Sequence, residues 1–459
     1  MAIPDYLSSG EPARLIPVAA DSNKEVRAAS ILLATLMSVP PFARAMLGSL
    51  GQRVGTRANL DCYTEVVFKD GADAAKARPD GLMVLRTGGG REWRCLVEAK
   101  IGRAELEADQ VERYLALAKG HKTDVVLTIS NHFVALPSHS PVKVAKSALR
   151  GVDLFHWSWM YLVTQAMLLL NDREFEQPDQ RYILAEMVRY FSHSSIGVST
   201  FDRMNAEWKE LNGQVQAGAK LNRTVPHVEN SVAAWHQEVR DICLLLTRKI
   251  GRPVRIRLSR THSDNPVQRL RDDSAHLADK HELTCSLDVP DAAAPISVVA
   301  DLQRRSLSVS MALIAPRDKR RASSRINWLL RQLSKANPDG LHVRATWPGR
   351  APATQAALAA LRENPSLLEA ENRTLVPTQF EVLLVRDIAG KFSGSKTFIE
   401  HLEDAVPHFY EQVGQHLQAY VAPPPRLRKE DADTGKADEP LEEVAGEAEA
   451  AASEAADKP

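Results

Sequence analysis

The stretch RPDGLMVLRTGGGREWRCLVEAK, residues 78–100, carries an aspartate near one end and a glutamate and a lysine at the other. Apolar and β-branched runs flank TGGG, so the segment reads as a hairpin, and residues equidistant from a turn centre face each other across the ladder. With Gly89 as the centre, Asp80 lies nine residues before it and Glu98 nine after, which sets two carboxylates side by side. Side chains alternate along a strand, so Glu98 and Lys100 project one way while Val97, Ala99 and Ile101 project the other, toward a core. Adjacent carboxylates repel unless something positive sits between them. Lys100 supplies part of that charge, and two close oxygen donors are also what a Mg²⁺ ion needs, with water and phosphate completing its octahedron. Such an ion generates hydroxide and stabilises a phosphate transition state, and a neighbouring lysine can hold or help deprotonate the attacking water. The residue set suits metal-dependent phosphodiester hydrolysis.

The elements that must position these groups follow from periodicity. Residues 22–50 read as helical and are broken by Pro40-Pro41, and CYTEVVF (62–68) reads as a strand. After the hairpin, residues 103–120 form a helical pattern with Gly120 as its expected terminator. TDVVLTIS (123–130) and VDLFHWSW (152–159) read as strands, and 180–191 and 201–211 as helices. The order helix, three strands, helix, strand predicts a mixed α/β sheet.

With Asp80, the 18-residue step to Glu98 and the EAK tripeptide in that setting, residues 22–165 resemble the PD-(D/E)xK nuclease superfamily. Gln110 and Tyr114, four apart on one helical face, match the QxxxY motif of its RecB-like branch. The resemblance implies a restriction-endonuclease-like mixed sheet flanked by helices. It implies Mg²⁺, with Mn²⁺ as an alternative, held by Asp80, Glu98 and the backbone carbonyl of Ala99. Lys100 would be catalytic, and Gln110 and Tyr114 would orient the site or the substrate strand. Family members often add a glutamate from the first helix, for which Glu25 is the candidate and Glu65, on the strand before the hairpin, a weaker one. The implied substrate is DNA, in defence, restriction or repair, with RNA left open.

Each residue also has a plainer explanation. Pro-Asp-Gly is common turn chemistry, and Glu98 with Lys100 could form a weak ion pair on a solvated strand face. Gln110 and Tyr114 could be a helix surface pair, and Glu25 and Glu65 exposed charges. His121, His132 and His139 lack metal-ligand spacing, and Trp157 and Trp159 read as packing groups. Two rival functions follow: a nuclease fold that only binds nucleic acid or protein, and a stress or regulatory scaffold whose second domain carries the function.

Composition bounds the remainder. The chain has 459 residues with a formal net charge of +0. That balance hides an acidic end: residues 429–459 hold eleven Asp and Glu against three Lys, a net of −8, so the body carries +8. The organisation expected is a nuclease-like domain at 1–215, a linker at 216–230, an α+β domain at 231–422 and a disordered acidic tail at 423–459. In the second domain the basic loop RDKRRASSR (317–325) and the strand VRIRLSR, with Arg255, Arg257 and Arg260, are candidate phosphate contacts or solvated charges. Four cysteines lie far apart without a CxxC pair, which argues against zinc and disulfides and fits a reducing cytoplasm. No signal peptide or membrane span is expected. A homo-oligomer, or a protein partner bound through 231–422, is compatible with the sequence.

Overall fold

Short turns can join only antiparallel strands, whereas parallel neighbours need a crossover, and the first half of the chain uses both. The computed structural model describes residues 3–17, 23–69, 78–422 and 424. Its helices in this half are α1 (Lys24–Ser38), α2 (Pro40–Gly48), α3 (Ala108–Gly120), α4 (Trp159–Asn171) and α5 (Pro178–Phe191). Six strands, β1 (Leu7–Pro12), β2 (Asn59–Phe68), β3 (Gly81–Arg86), β4 (Glu92–Ala99), β5 (Val125–Ser130) and β6 (Asp153–Ser158), lie side by side in that order. β1 to β4 pair antiparallel. α3 then crosses over, so β4, β5 and β6 pair parallel.

The hairpin register is the one expected from a turn centred on Gly89: Gly81 pairs with Val97, Met83 with Cys95 and Arg86 with Glu92. Gly90, at φ 79°, supplies the left-handed residue of that turn. Alternation along β4 places Cys95, Val97 and Ala99 in a core shared with α1, α2, α4 and α5. Leu96 points to the opposite face and packs beneath Val111, Tyr114 and Leu115 of α3. α1 opens on Asn23, whose side chain accepts from the Val26 N–H, and Pro40 starts α2 at 109° to α1.

The second half carries helices α6 (Trp208–Gln216), α7 (Pro226–Ile250), α8 (Arg260–Asp264), α9 (Pro266–Lys280), α10 (Ala322–Gln332), α11 (Leu358–Glu363) and α12 (Ser395–Phe409). Its strands are β7 (Arg255–Ile256), β8 (Glu282–Asp288), β9 (Ile296–Asp301), β10 (Ser306–Ile314), β11 (Leu341–Thr346), β12 (Thr354–Ala357) and β13 (Gln379–Asp387). They form an antiparallel sheet in the order β12-β11-β13-β10-β9-β8-β7. The chain is thus mixed α/β, with one mixed and one antiparallel sheet.

Several expectations shift. α3 begins at Ala108 rather than Arg103, and Gly120 is its last helical residue, with the left-handed conformation falling to Lys122 at φ 53°. The helix expected at 201–211 starts at Trp208, because the Phe201 N–H is held by the Asp241 carboxylate and the Met204 N–H by the Ser395 carbonyl. Trp208, Leu211, Val215 and Leu221 pack in the second core, so its contacts begin ahead of the segment expected as a linker, and α7 starts inside that segment. VRIRLSR pairs only at Arg255 and Ile256, because Ser259 accepts from the His262 N–H and caps α8. Among the described residues no single helix is long and apolar enough to cross a membrane. The acidic tail expected from 423 lies outside the described residues apart from Pro424.

Candidate functional site

The hairpin ends where β4 leaves its antiparallel neighbour β3 and continues beside the parallel strand β5. Such a change of direction, at the carboxyl ends of parallel strands, leaves a crevice. Asp80 and Glu98 stand one step beyond the last ladder pair, Gly81 with Val97. The Asp80 Oδ2 accepts the Ala99 N–H at 2.8 Å. Glu98 is 2% exposed, and its Oε1 accepts both the Lys100 Nζ and the Gln110 Nε2, each at 2.7 Å. Its Oε2 is buried and has no hydrogen-bond partner, although buried carboxylate oxygens are ordinarily satisfied.

The remaining groups tie this pair to its surroundings. Gln110 also donates to the Tyr114 hydroxyl at 3.4 Å, and that hydroxyl donates to the Arg78 carbonyl at 3.3 Å. Glu25 arrives from the first turn of α1: its Oε1 accepts the Ile101 N–H at 3.3 Å and its Oε2 lies 3.8 Å from the Lys100 Nζ. The structure therefore brings together Glu25, Asp80, Glu98, Lys100, Gln110 and Tyr114. It does not bring in Glu65, whose backbone turns left-handed at φ 50° and whose carboxylate pairs with Arg78 at 3.2 Å.

Electrostatics follow from this crowding. Burial, and then the Glu98 charge, push Asp80 up to about 7, against the opposing pull of the Ala99 N–H and Lys100. Burial also raises Glu98, although the Lys100 hydrogen bond and charge, and after them the nearby Tyr114 hydroxyl, oppose it. Burial disfavours the Lys100 ammonium, but Glu98, Glu25 and Asp80 more than compensate and hold it charged. Burial and the Glu98 charge keep the Tyr114 phenol protonated.

This donor set bears directly on a bound cation. Among the described residues no group of three or more His, Cys, Asp and Glu side chains is arranged to hold a metal ion. Mg²⁺, however, is satisfied by one or two carboxylates with water and substrate oxygens. Two adjacent carboxylates, one with a buried oxygen that accepts no hydrogen bond, fit that requirement.

One supporting residue was not legible as such in the sequence. Trp159, a packing group by its neighbours, donates its indole N–H to the Lys100 carbonyl at 2.8 Å while its ring packs, tilted by 30°, with its centroid 4.9 Å from that of Phe191. It fixes the backbone from which Lys100 projects. Trp159→Phe is expected to cost about 1–3 kcal/mol through the lost hydrogen bond and the smaller ring. Chemical denaturation would measure it, and an unchanged midpoint would show that the carbonyl finds another donor.

Three of the histidines near the site serve other ends. His139 bonds the Ser263 carbonyl at 2.8 Å, His156 lies between Thr128 and the His132 carbonyl, and His121 stacks on Phe68. In the second half, Arg325 is spent on the carbonyls of Lys319 and Pro377, both at 2.7 Å, and is a structural residue. Arg257 pairs with Asp288 at 3.7 Å and Arg260 with Asp264 at 3.8 Å. Comparison of the chain with protein-family models, with curated proteins and with solved structures finds no match.

Proposed function

We propose that the first half is a metal-dependent nuclease domain of the PD-(D/E)xK type, hydrolysing phosphodiester bonds in DNA. One observation carries the reading. Glu98 is held through one oxygen by Lys100 and Gln110, while its other oxygen is buried, unpartnered and next to a second carboxylate. A purely structural ion pair gives no reason to leave that oxygen unsatisfied or to place Asp80 beside it.

Asp80 and Glu98, with the Ala99 carbonyl, would hold Mg²⁺ or Mn²⁺. The bound ion would supply a Lewis acid for the phosphate and lower the pKa of its water. Lys100, charged and anchored to Glu98, orients the attacking water and balances the phosphate charge. Gln110 fixes the rotamer of Glu98 without adding charge, and Tyr114 braces Gln110 against the Arg78 carbonyl. Glu25 limits the reach of the lysine.

The test is incubation of supercoiled and linear DNA with the full chain in Mg²⁺, Mn²⁺ or EDTA. Cutting in either metal and none in EDTA is expected, and the ratio of nicked to shortened products distinguishes endonuclease from exonuclease action. Absence of cutting with DNA binding retained would favour the second reading, a binding module in a stress or regulatory role. The occupation of Glu98 Oε1 by two protein donors is the observation that favours that alternative.

A further inference from the structure

Beyond Lys100 the chain enters a polar cavity of 740 Å³ at the carboxyl ends of β4 and β5. Its wall combines Arg103 and Glu105 from the loop before α3, Ser130, Asn131 and His132 from the end of β5, and Gln237 from α7 of the second half. That size falls in the range of small-ligand sites and is too small to enclose a duplex.

The charges in the wall, Arg103 against Glu105, cancel, so the cavity does not select an anion. It offers neutral hydrogen-bonding groups. Asn131 is consumed structurally: it donates to the carbonyls of Gly102 and Gly197 and accepts the Ser199 N–H. Gln237 accepts the Phe133 N–H through its Oε1 at 3.3 Å, and its Nε2 has no partner among the described residues. Ser130 accepts the His132 N–H, which leaves its hydroxyl proton to donate. The His132 ring has no hydrogen bond among the described residues, and burial lowers it to about 4, so it stays neutral with one donor and one acceptor.

We propose that this cavity is a subsite for one unpaired nucleobase next to the scissile phosphate, with Gln237 and His132 reading its hydrogen-bonding edge. Amide side chains make such contacts with base edges, and a base leaves the stack most readily where it is already unpaired. The proposal rests on the nuclease reading and gives the second half a part in the site, since Gln237 belongs to α7.

The test is fluorescence anisotropy of the full chain in EDTA, where no cutting occurs, with labelled duplexes carrying either one unpaired adenine or an abasic residue at the same position. Wild type is expected to bind the adenine duplex about tenfold more tightly than the abasic one, the worth of one or two hydrogen bonds. Gln237→Glu keeps the acceptor for Phe133 and replaces the donor. It should remove the preference, because any loss from the added charge falls on both duplexes alike, with an unaltered melting curve showing that the fold persists. Equal affinities in the wild type, or a preference that survives both Gln237→Glu and His132→Ala, would overturn the subsite alone. Failure to bind any oligonucleotide, together with failure to cut in metal, would overturn the subsite and the nuclease reading together.

Discussion

Replacing Asp80 with asparagine is expected to reduce metal-dependent cleavage roughly 10³-fold while making the folded protein more stable above neutral pH. The loss follows because Asp80 is one of two carboxylates on which the proposed ion depends. The gain follows from linkage. Burial, reinforced by Glu98, raises the Asp80 carboxyl to about 7, so the native protein keeps a proton that the unfolded chain releases near its ordinary value. Stability therefore falls as pH rises from the ordinary carboxylate range through about 7, and the penalty is complete above it. Asparagine retains an oxygen to accept the Ala99 N–H and carries no charge, so the penalty disappears, worth up to about 4 kcal/mol at pH 8, less the cost of burying the amide, and little at pH 4. Thermal melts in EDTA at the two pH values, beside plasmid cleavage in Mg²⁺, measure both effects. Cutting equal to wild type would remove Asp80 from the chemistry. A lower melting temperature at pH 8 would mean that the carboxylate supports the fold.

Lys100→Met should have the opposite effect on stability and the same effect on cleavage. The methionine keeps most of the apolar stem but removes the ammonium that lies 2.7 Å from Glu98 and 3.8 Å from Glu25. Glu98 is then a carboxylate at 2% exposure, left with Gln110 and the nearby Tyr114 hydroxyl and with no cation hydrogen-bonded to it. Breaking a buried pair from one side costs about 3–5 kcal/mol, part of which Gln110 offsets. Because Glu98 is already raised by burial, the variant escapes the cost at low pH by taking a proton, so the destabilisation grows as pH rises. Adding Glu98→Gln to Lys100→Met should recover most of the stability and none of the cleavage. Urea denaturation of the two single variants and the double variant closes the cycle, and additive losses would show that the two side chains do not interact.

The site was readable where geometry follows from counting. A turn centred on Gly89 fixes the register, so Gly81 had to meet Val97 and Asp80 had to fall beside Glu98. Gln110 and Tyr114 share a face because they are four apart on α3. What was not readable depends on contacts between distant segments. The sequence LSSGEP of β1 lacks apolar alternation, and its pairing with β2 is irregular, with register shifts at Ser9 and Glu11. β12 has only four residues, and in β11 the apolar run is interrupted by His342 and Arg344, so both are identified as strands mainly by the partners they pair with. α7 begins in a polar stretch that resembles a linker, yet Val228, Val232, Trp235 and Val239 bury one face of it against the second core. The Trp159 bond to the Lys100 carbonyl joins residues far apart in the chain, and nothing local announces it. The placing of Glu65 was not readable either, because strand alternation does not anticipate its left-handed backbone or the pairing of its carboxylate with Arg78.

The uneven engagement of Glu98 also has an entropic side. A free glutamate samples many rotamers, and immobilising it on ligand capture weakens binding by about 1 kcal/mol or more. Here two donors grip one oxygen, so the torsions of Glu98 are already frozen when the chain folds. A cation arriving at the other oxygen meets a group that has no conformational freedom left to lose. Affinity at such a position is governed by dehydration and charge alone, and ions that differ in hydration should be sorted there more sharply than by a mobile carboxylate.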